Sequence, residues 1–449
     1  LRKSLSLVLA LALGAATIFP SPAAAQSIPL IRDAEIENTI RAYATPLFQA
    51  AGLDPSAVGI HIVADDEPNA FVMNGQNLFI TTGLLLLAQS ANQVVGVIAH
   101  ETGHMAGGHL ARMEGEQKDV MLQTVLAFVL GAAAMMAGGS QGGQAGQAIM
   151  AGTQQIASRQ LLAFSREHEA AADQAGVTFL DRACESARGF EQFLGLLANQ
   201  ELLSPTRQDP YVRTHPITQD RIQFVHNHVL HAKCSDAPTP PAYNEEFARM
   251  KAKLVGFLKT PSETFDLYPE SDTSLAARYA RAIAYYRKPD LAHALPLIDG
   301  LLAERPGDPY FAELKGQVLY ENGRVREAVP MYQLALDRVP DNTLLLVELA
   351  QAQIETNDPA LNKQALENLT KAVHIDDEYA PAWSKLAVAY GREGDIGQAA
   401  LALAERAYLQ GDDKEARAEV ARAQRLLPRD SSAWLRADDI KRAIDDRKR

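Results

Sequence analysis

Apolar residues recur at helical spacing from Ile31 to Ala51, which predicts an opening amphipathic helix. The period then shortens. Val58 to Val63 reads as a strand, and Asp65, Asp66 and Pro68 read as a turn. Phe71 to Met73 and Leu78 to Thr81 flank Asn74-Gly75, the strongest short hairpin signal in the chain. A small antiparallel sheet is therefore expected just ahead of a helix that begins near Asn92. From there to about His231 the pattern is mainly helical. Within it, Val120 to Ala137 is nearly as apolar as a membrane helix and is followed by a Gly-rich stretch from Gly138 to Gly143.

Beyond Cys234 the texture changes. Cys234 to Ala242, with Pro238, Pro240 and Pro241, has the composition of a linker. Paired helices follow. Ala294 and Ala328 are 34 residues apart, as are Pro306 and Pro340, the period of tetratricopeptide repeats. Gly316, Ala328, Tyr332, Ala335 and Pro340 fall on that pattern's positions for small, aromatic and helix-ending residues. A later unit carries Trp383, Leu386, Ala387, Tyr390 and Ala399, and Ala416, Val420, Ala423 and Pro428 read as a further second helix. The unit with Ala365, Leu369 and Ala372 has three extra residues, and three to five repeats are expected in all. Such arrays bind peptides or partner surfaces along a concave face, with a spacer that binds nothing as the alternative.

Length and composition refine this. A chain of 449 residues exceeds one ordinary core. An aromatic share of only 6%, beside abundant Ala and Leu, favours helix over sheet. A net charge of -12 without a basic stripe excludes a nucleic-acid binder. Arg2 and Lys3, the apolar run Leu5 to Phe19, and Ala23-Ala24-Ala25 after Pro20 and Pro22 read as a cleaved signal peptide. The expected divisions are thus a signal peptide (1–25), a first domain (26–233), a linker and connecting helix (234–274), a repeat domain (275–436) and a charged tail (437–449). Outside the cytoplasm, Cys184 and Cys234 are candidates to form a disulfide, and neither sits in a CxxC pair.

The chemistry is carried by His100-Glu101-Thr102-Gly103-His104. Residues four apart share one helix face, so both imidazoles can reach one metal ion, while Glu101 is turned aside to hold and deprotonate water. Catalytic zinc keeps three protein ligands and one open position. Glu169, in the segment Ser165 to Asp173, is the best third ligand, with Asp173 four residues on as a partner for a ligating ring nitrogen. His109 and His168 compete for the ligand role. His109 lies five beyond His104, which on a continuous helix rotates it off the ligand face, and His168 is read as a solvated helix residue. His226, His228 and His231 have no accompanying carboxylate or cysteine in the pattern and are read as surface residues. A single membrane crossing by Val120 to Ala137 would separate Glu169 from His100 and His104. That segment is therefore read as a lid or membrane-touching loop, with core packing as the alternative.

HExxH followed by a Ser-Arg-x-x-Glu-x-x-x-Asp helix resembles the M48 (Ste24-like) metallopeptidases. Pro68-Asn69-Ala70-Phe71 matches the family's strand ahead of the metal helix, and Thr214-His215-Pro216 with Arg221 matches its downstream motif. The resemblance spans roughly Ile28 to His231. It implies a mainly α, zincin-like metalloprotease domain of helices plus a small antiparallel sheet, here followed by an α-solenoid of tetratricopeptide repeats. It implies one Zn2+ per chain, held by His100, His104 and Glu169, with Glu101 as general base and His215 and Arg221 at the catalytic cleft, where His215 or Arg221 would stabilise the tetrahedral oxyanion. His215 is alternatively a latch, a fourth ligand that keeps the enzyme latent. Asn69, Ala70 and Phe71 would line an extended substrate added to the sheet edge. For a chain of this build the resemblance implies a periplasmic endopeptidase for unfolded, stalled or misassembled envelope proteins. Its repeats would recruit substrate or the outer-membrane assembly machinery, with peripheral membrane contact. The competing class is a chaperone or adaptor with a largely latent protease domain.

Overall fold

The computed structural model describes residues 29–73, 75–109, 166–198 and 210–447. The signal-peptide segment, Asn74 and the Val120 to Ala137 stretch lie outside them. The first helix, α1 (Ala34–Ala50), begins later than its apolar pattern, because Leu30–Ile31 forms a short strand, β1. Asp33 caps α1 by accepting from the Ile36 amide at 2.9 Å, and Glu35 and Glu37 place negative charge in its first turn.

Three further strands follow: β2 (Gly59–Val63), β3 (Ala70–Met73) and β4 (Asn77–Thr81). The β3–β4 hairpin turns through Gly75 at φ +87°, a conformation that glycine adopts without strain. The sheet is mixed rather than antiparallel throughout. Its order is β1-β2-β4-β3, and β2 pairs with β4 in parallel, from Gly59 opposite Asn77 to Val63 opposite Thr81. The hairpin signal is local and says nothing of β2, whose partner is decided by burial of Ile60 and Ile62 on the core face. This order leaves β3 on an edge.

Among the described residues of this half, helices α2 (Thr82–Leu87), α3 (Ala91–Gly107), α4 (166–183), α5 (Arg188–Leu197), α6 (Pro210–Thr214) and α7 (Gln219–His231) follow. One core joins them, with Ile40, Leu47, Phe48, Ile62, Ile80, Val94, Ile98, Leu180, Phe190 and Phe193 inside. Cys184 and Cys234 are disulfide-bonded, with Cα atoms 5.2 Å apart. The linker read from composition is short. Helix α8 (Pro241–Leu258) sends Phe247, Met250 and Leu254 into the same core as the sheet, while its Ala252 belongs to the next one.

After the capped helix α9 (Pro261–Leu267), five helix pairs follow among the described residues: α10 (Leu275–Arg287) with α11 (Leu291–Glu304), α12 (Pro309–Glu321) with α13 (Val325–Arg338), α14 (Thr343–Glu355) with α15 (Pro359–Ile375), α16 (Ala380–Arg392) with α17 (Ile396–Leu409), and α18 (Asp413–Leu426) with α19 (Ser432–Asp446). α12 and α14 begin 34 residues apart, at Pro309 and Thr343. The three extra residues are absorbed by α15, which is 17 residues long where α13 is 14. Within a pair, small residues permit close approach: a Cβ on Gly316 would sit 2.9 Å from the Tyr332 ring. The segment read as a charged tail is instead the body of α19. Ala437, Ile440 and Ile444 recur at helical spacing and are buried against α17 and α18.

The two halves meet on a buried ionic contact. Glu35 of α1 accepts from the Tyr279 hydroxyl at 2.8 Å and pairs with Arg249 at 2.8 Å. Arg249 also grips Asp308 (2.6 Å), and Lys253 lies 2.8 Å from Asp33 and 3.6 Å from Glu313.

Candidate metal centre

The site forms where α3 crosses α4. Ser90 caps α3, its hydroxyl accepting from the Gln93 amide, and every residue from Ala91 to Gly103 is buried. The crossing is tight because position 103 is glycine: a Cβ there would sit 2.5 Å from the Ala172 carbonyl oxygen. This contact brings Glu169, on α4, over His100 and His104 on α3. His215, just past α6, closes the group from the other side.

The four potential ligand atoms lie within 4.8 Å of one another. His100 Nε2 is 3.1 Å from His104 Nε2 and 3.4 Å from His215 Nδ1. Glu169 carboxylate oxygens stand 3.3 Å from each of His100 Nε2 and His104 Nε2, and 3.2 Å from His215 Nδ1. A tetrahedral ion with bonds near 2.0–2.1 Å needs edges of about 3.3 Å, which the five separations given match. The donor set, three imidazoles and a carboxylate, fits as well.

Two of these candidate ligands are each held by a further group. Asp173 Oδ1 stands 2.9 Å from His100 Nδ1. Arg221 clasps both Asp173 oxygens (2.6 and 2.8 Å), reaches Glu169 at 2.8 Å, and donates to the Pro216 carbonyl at 2.9 Å. Its guanidinium is buried and committed, which corrects the expectation that Arg221 stabilises an oxyanion: its donors hold carboxylates in place. Burial opposes charge on His100, but Asp173 and Glu169 overcome it and raise its pKa to about 9. On His104 burial prevails over Glu169, with the neighbouring His100 adding to the depression, and the pKa falls to about 3. Glu169 is held well below the usual carboxylate range despite its burial, chiefly by His215 and by hydrogen bonds from the other two histidines.

Glu101 is 1% exposed, and neither carboxylate oxygen has a hydrogen-bond partner among the described residues. His215 Nε2 lies 3.6 Å from it. Burial raises its pKa, with His215 opposing. A buried carboxylate without a hydrogen bond is costly unless it faces a reacting group, which is the setting a general base would need. His215 Nε2 also donates to the Ala70 carbonyl of β3 at 3.2 Å, which leaves the Nδ1 lone pair aimed at the ligand group. The α6 segment thus covers the sheet edge: the Tyr211 amide donates to the Pro68 carbonyl at 3.2 Å, and Thr214 lies against the Asn69 side chain.

The edge differs from expectation in which residues face outward. The Asn69 amide and carbonyl are already taken by Thr81, and the Phe71 ring stacks on Phe79 at 5.1 Å. By strand alternation Ala70 and Val72 present their backbone groups outward, and the Ala70 contact with His215 agrees. His109 and His168 are outside the ligand group, yet neither is solvated. Both are buried, and their rings stack at 4.5 Å. His226 and His228 pair separately with Glu191 and Asp181, and His231 bonds the Asn227 carbonyl.

Residues 31–229 match Peptidase family M48. The chain is 27% identical over 393 residues to the beta-barrel assembly-enhancing protease of Yersinia pestis, covering 86% of this chain and 78% of that one. It is 28% identical over 138 residues to the mitochondrial metalloendopeptidase OMA1 of Schizosaccharomyces pombe, covering 31% of this chain and 37% of that one. Among solved structures it is similar to the TPR protein YrrB, at 17% identity and a TM-score of 0.33 over 40% of this chain and 91% of that one. Residues 31–229 are therefore a peptidase family M48 domain, and the chain that carries it is a metallopeptidase.

Proposed function

We propose that this chain is a zinc endopeptidase of the periplasm that acts on unfolded or misassembled outer-membrane proteins, and that His215 restrains it. The single observation behind this reading is the cluster of His100, His104, Glu169 and His215 atoms within 4.8 Å, with the Glu101 carboxylate beside it and free of hydrogen bonds among the described residues. A catalytic zinc site offers three protein ligands and one open position. Here three ligands come from rigid helices and the fourth, His215, from a short segment after α6.

A bound zinc ion supplies Lewis acidity to water and to the scissile carbonyl. Glu101 takes the water's proton and returns it to the leaving amine. Arg221 and Asp173 keep Glu169 and His100 in position. The substrate pairs with the outward backbone of Ala70 and Val72 once His215 releases the Ala70 carbonyl, adding a strand to the edge at β3. Recognition through backbone favours unfolded chains over folded ones. The helix pairs recruit substrate or assembly machinery along their concave face. The likeness to the assembly-enhancing proteases supports this location and substrate class. Among the described residues no helix is long and apolar enough to cross a membrane.

The test is casein hydrolysis by wild type, Glu101→Gln and His215→Ala side by side. Glu101→Gln is expected to retain zinc and lose cleavage, while His215→Ala cleaves faster than wild type. A His215→Ala variant as inactive as Glu101→Gln makes His215 catalytic and removes the latch. Equal rates in all three remove the protease site.

A further inference from the structure

Each ligand on the two crossing helices needs a partner for its outward-facing atom. His100 has Asp173 and Glu169 has Arg221. The corresponding atom of His104 is Nδ1, and it lies 3.2 Å from His109 Nδ1. On a continuous helix His109 would point away from His104. It does not, because α3 stops at Gly107. Gly108 takes the left-handed conformation, φ +61°, and reverses the chain so that the next residue folds back beneath the helix end. Gly107 leaves room for the returning ring: a Cβ there would sit 2.3 Å from His109 Nε2. The ring is 6% exposed and is backed by His168, stacked at 4.5 Å with an interplanar angle of 16°. His168 in turn stands next to Glu169 on α4, so the stack ties the end of α3 to the helix that carries the carboxylate.

We infer that His109 is a positioning residue for metal binding, fixing the orientation and tautomer of His104 as Asp173 does for His100. The inference rests on His104 being a ligand. With Nε2 presented to the metal, the ring proton resides on Nδ1 and is donated to the His109 Nδ1 lone pair. An imidazole acceptor is neutral, so it orients His104 without adding a further negative charge to a site that already holds Glu101, Glu169 and Asp173.

Zn2+ affinity of the full mature chain, measured by competition with a chromophoric chelator, tests this. Five proteins are compared: wild type, His104→Ala, His109→Ala, His109→Phe and His109→Asn, each checked for its fold by circular dichroism. Phe refills the stack on His168 without an acceptor; Asn restores an acceptor oxygen near the Nδ1 position without the ring. Loss of such a partner weakens metal binding by roughly 10–100-fold. That loss is expected in His109→Ala and His109→Phe, with His109→Asn within a few-fold of wild type. His109→Phe binding like wild type, while His104→Ala loses the metal, makes His109 a packing residue and overturns the inference. His104→Ala binding like wild type instead removes the metal-site reading, and this inference with it. Should His109→Ala fail to fold, the Phe and Asn pair decides the question alone.

Discussion

Replacing Gly103 with alanine adds one methyl group and touches no ligand, yet the structure requires it to disable the site. The new Cβ would meet the Ala172 carbonyl oxygen at 2.5 Å and the Ala172 Cα at 3.0 Å. Both are backbone atoms of α4, so no side chain can swing away. Relief to an ordinary contact near 3.4 Å means parting α3 from α4 by about 0.9 Å. His100 and His104 ride on one helix and Glu169 on the other, joined by gaps of 3.3 Å. Metal–ligand distances tolerate only about 0.2 Å, so a displacement several times larger costs an estimated tenfold or more in zinc affinity. Overpacking should also cost about 1–3 kcal/mol of stability. Chelator competition gives the first quantity and thermal unfolding the second. Gly195→Ala is the control: it is also helical, and a Cβ there has nothing within 4 Å. If Gly103→Ala binds zinc like wild type, or the control loses as much, tight crossing is not what aligns the ligands.

Arg221→Ala leaves Asp173 and Glu169 buried without their cation, which should cost about 3–5 kcal/mol and be visible as a lower unfolding midpoint at pH 7; an unchanged midpoint would mean that Arg221 is not holding them. Glu313→Gln tests the charge balance at the junction of the halves. Burial lifts the Glu313 carboxyl to about 7, with Lys253 opposing and Asp33 assisting. A raised folded-state value contributes stability that is full below pH 4.5 and lost as pH rises through 7. The glutamine variant should therefore match wild type near pH 4 and exceed it at pH 8, by at most roughly 3 kcal/mol, and a gap that ignores pH refutes the assignment. Cys184→Ser with Cys234→Ser opens a loop of 50 residues, for which chain entropy predicts a loss of about 4 kcal/mol in denaturant unfolding; equal stability of oxidised and reduced wild type contradicts that.

The parts legible in the sequence are those whose physics is short-range. Two imidazoles four apart on a helix, a turn at Asn74-Gly75 and a 34-residue period each follow from a few neighbouring residues. Periodicity keeps His109 out of the ligand group, as the structure does, but misses its contact with His104 because it assumes that the helix goes on. Gly107-Gly108 was the available signal, a helix-stopping pair that turns the following residue back. Arg221 could be located but its task could not. Nothing in its neighbourhood along the chain says that Asp173, 48 residues earlier, would use up its guanidinium. The parallel β2–β4 pairing was hidden for the same reason, since a hairpin fixes one neighbour of β4 and leaves the other to tertiary packing.

The junction was wholly illegible, and it changes how the helix pairs are understood. Composition reads Cys234 to Ala242 only as a linker. Instead α8 belongs to both cores, and Glu35, at the start of the metallopeptidase half, bonds Tyr279 of the first helix pair across 244 residues. Arg249 and Lys253 sit between carboxylates from both sides: Asp33 and Glu35 from one, Asp308 and Glu313 from the other. Buried ion pairs add little net stability, because desolvation offsets their attraction, but they are severe about geometry: a partner displaced leaves a bare charge at a cost of several kcal/mol. An arrangement of this kind defines one relative placement and penalises its neighbours. Anything bound along the helix pairs is then held at a set distance from β3 and Glu101, which a flexible tether would not provide.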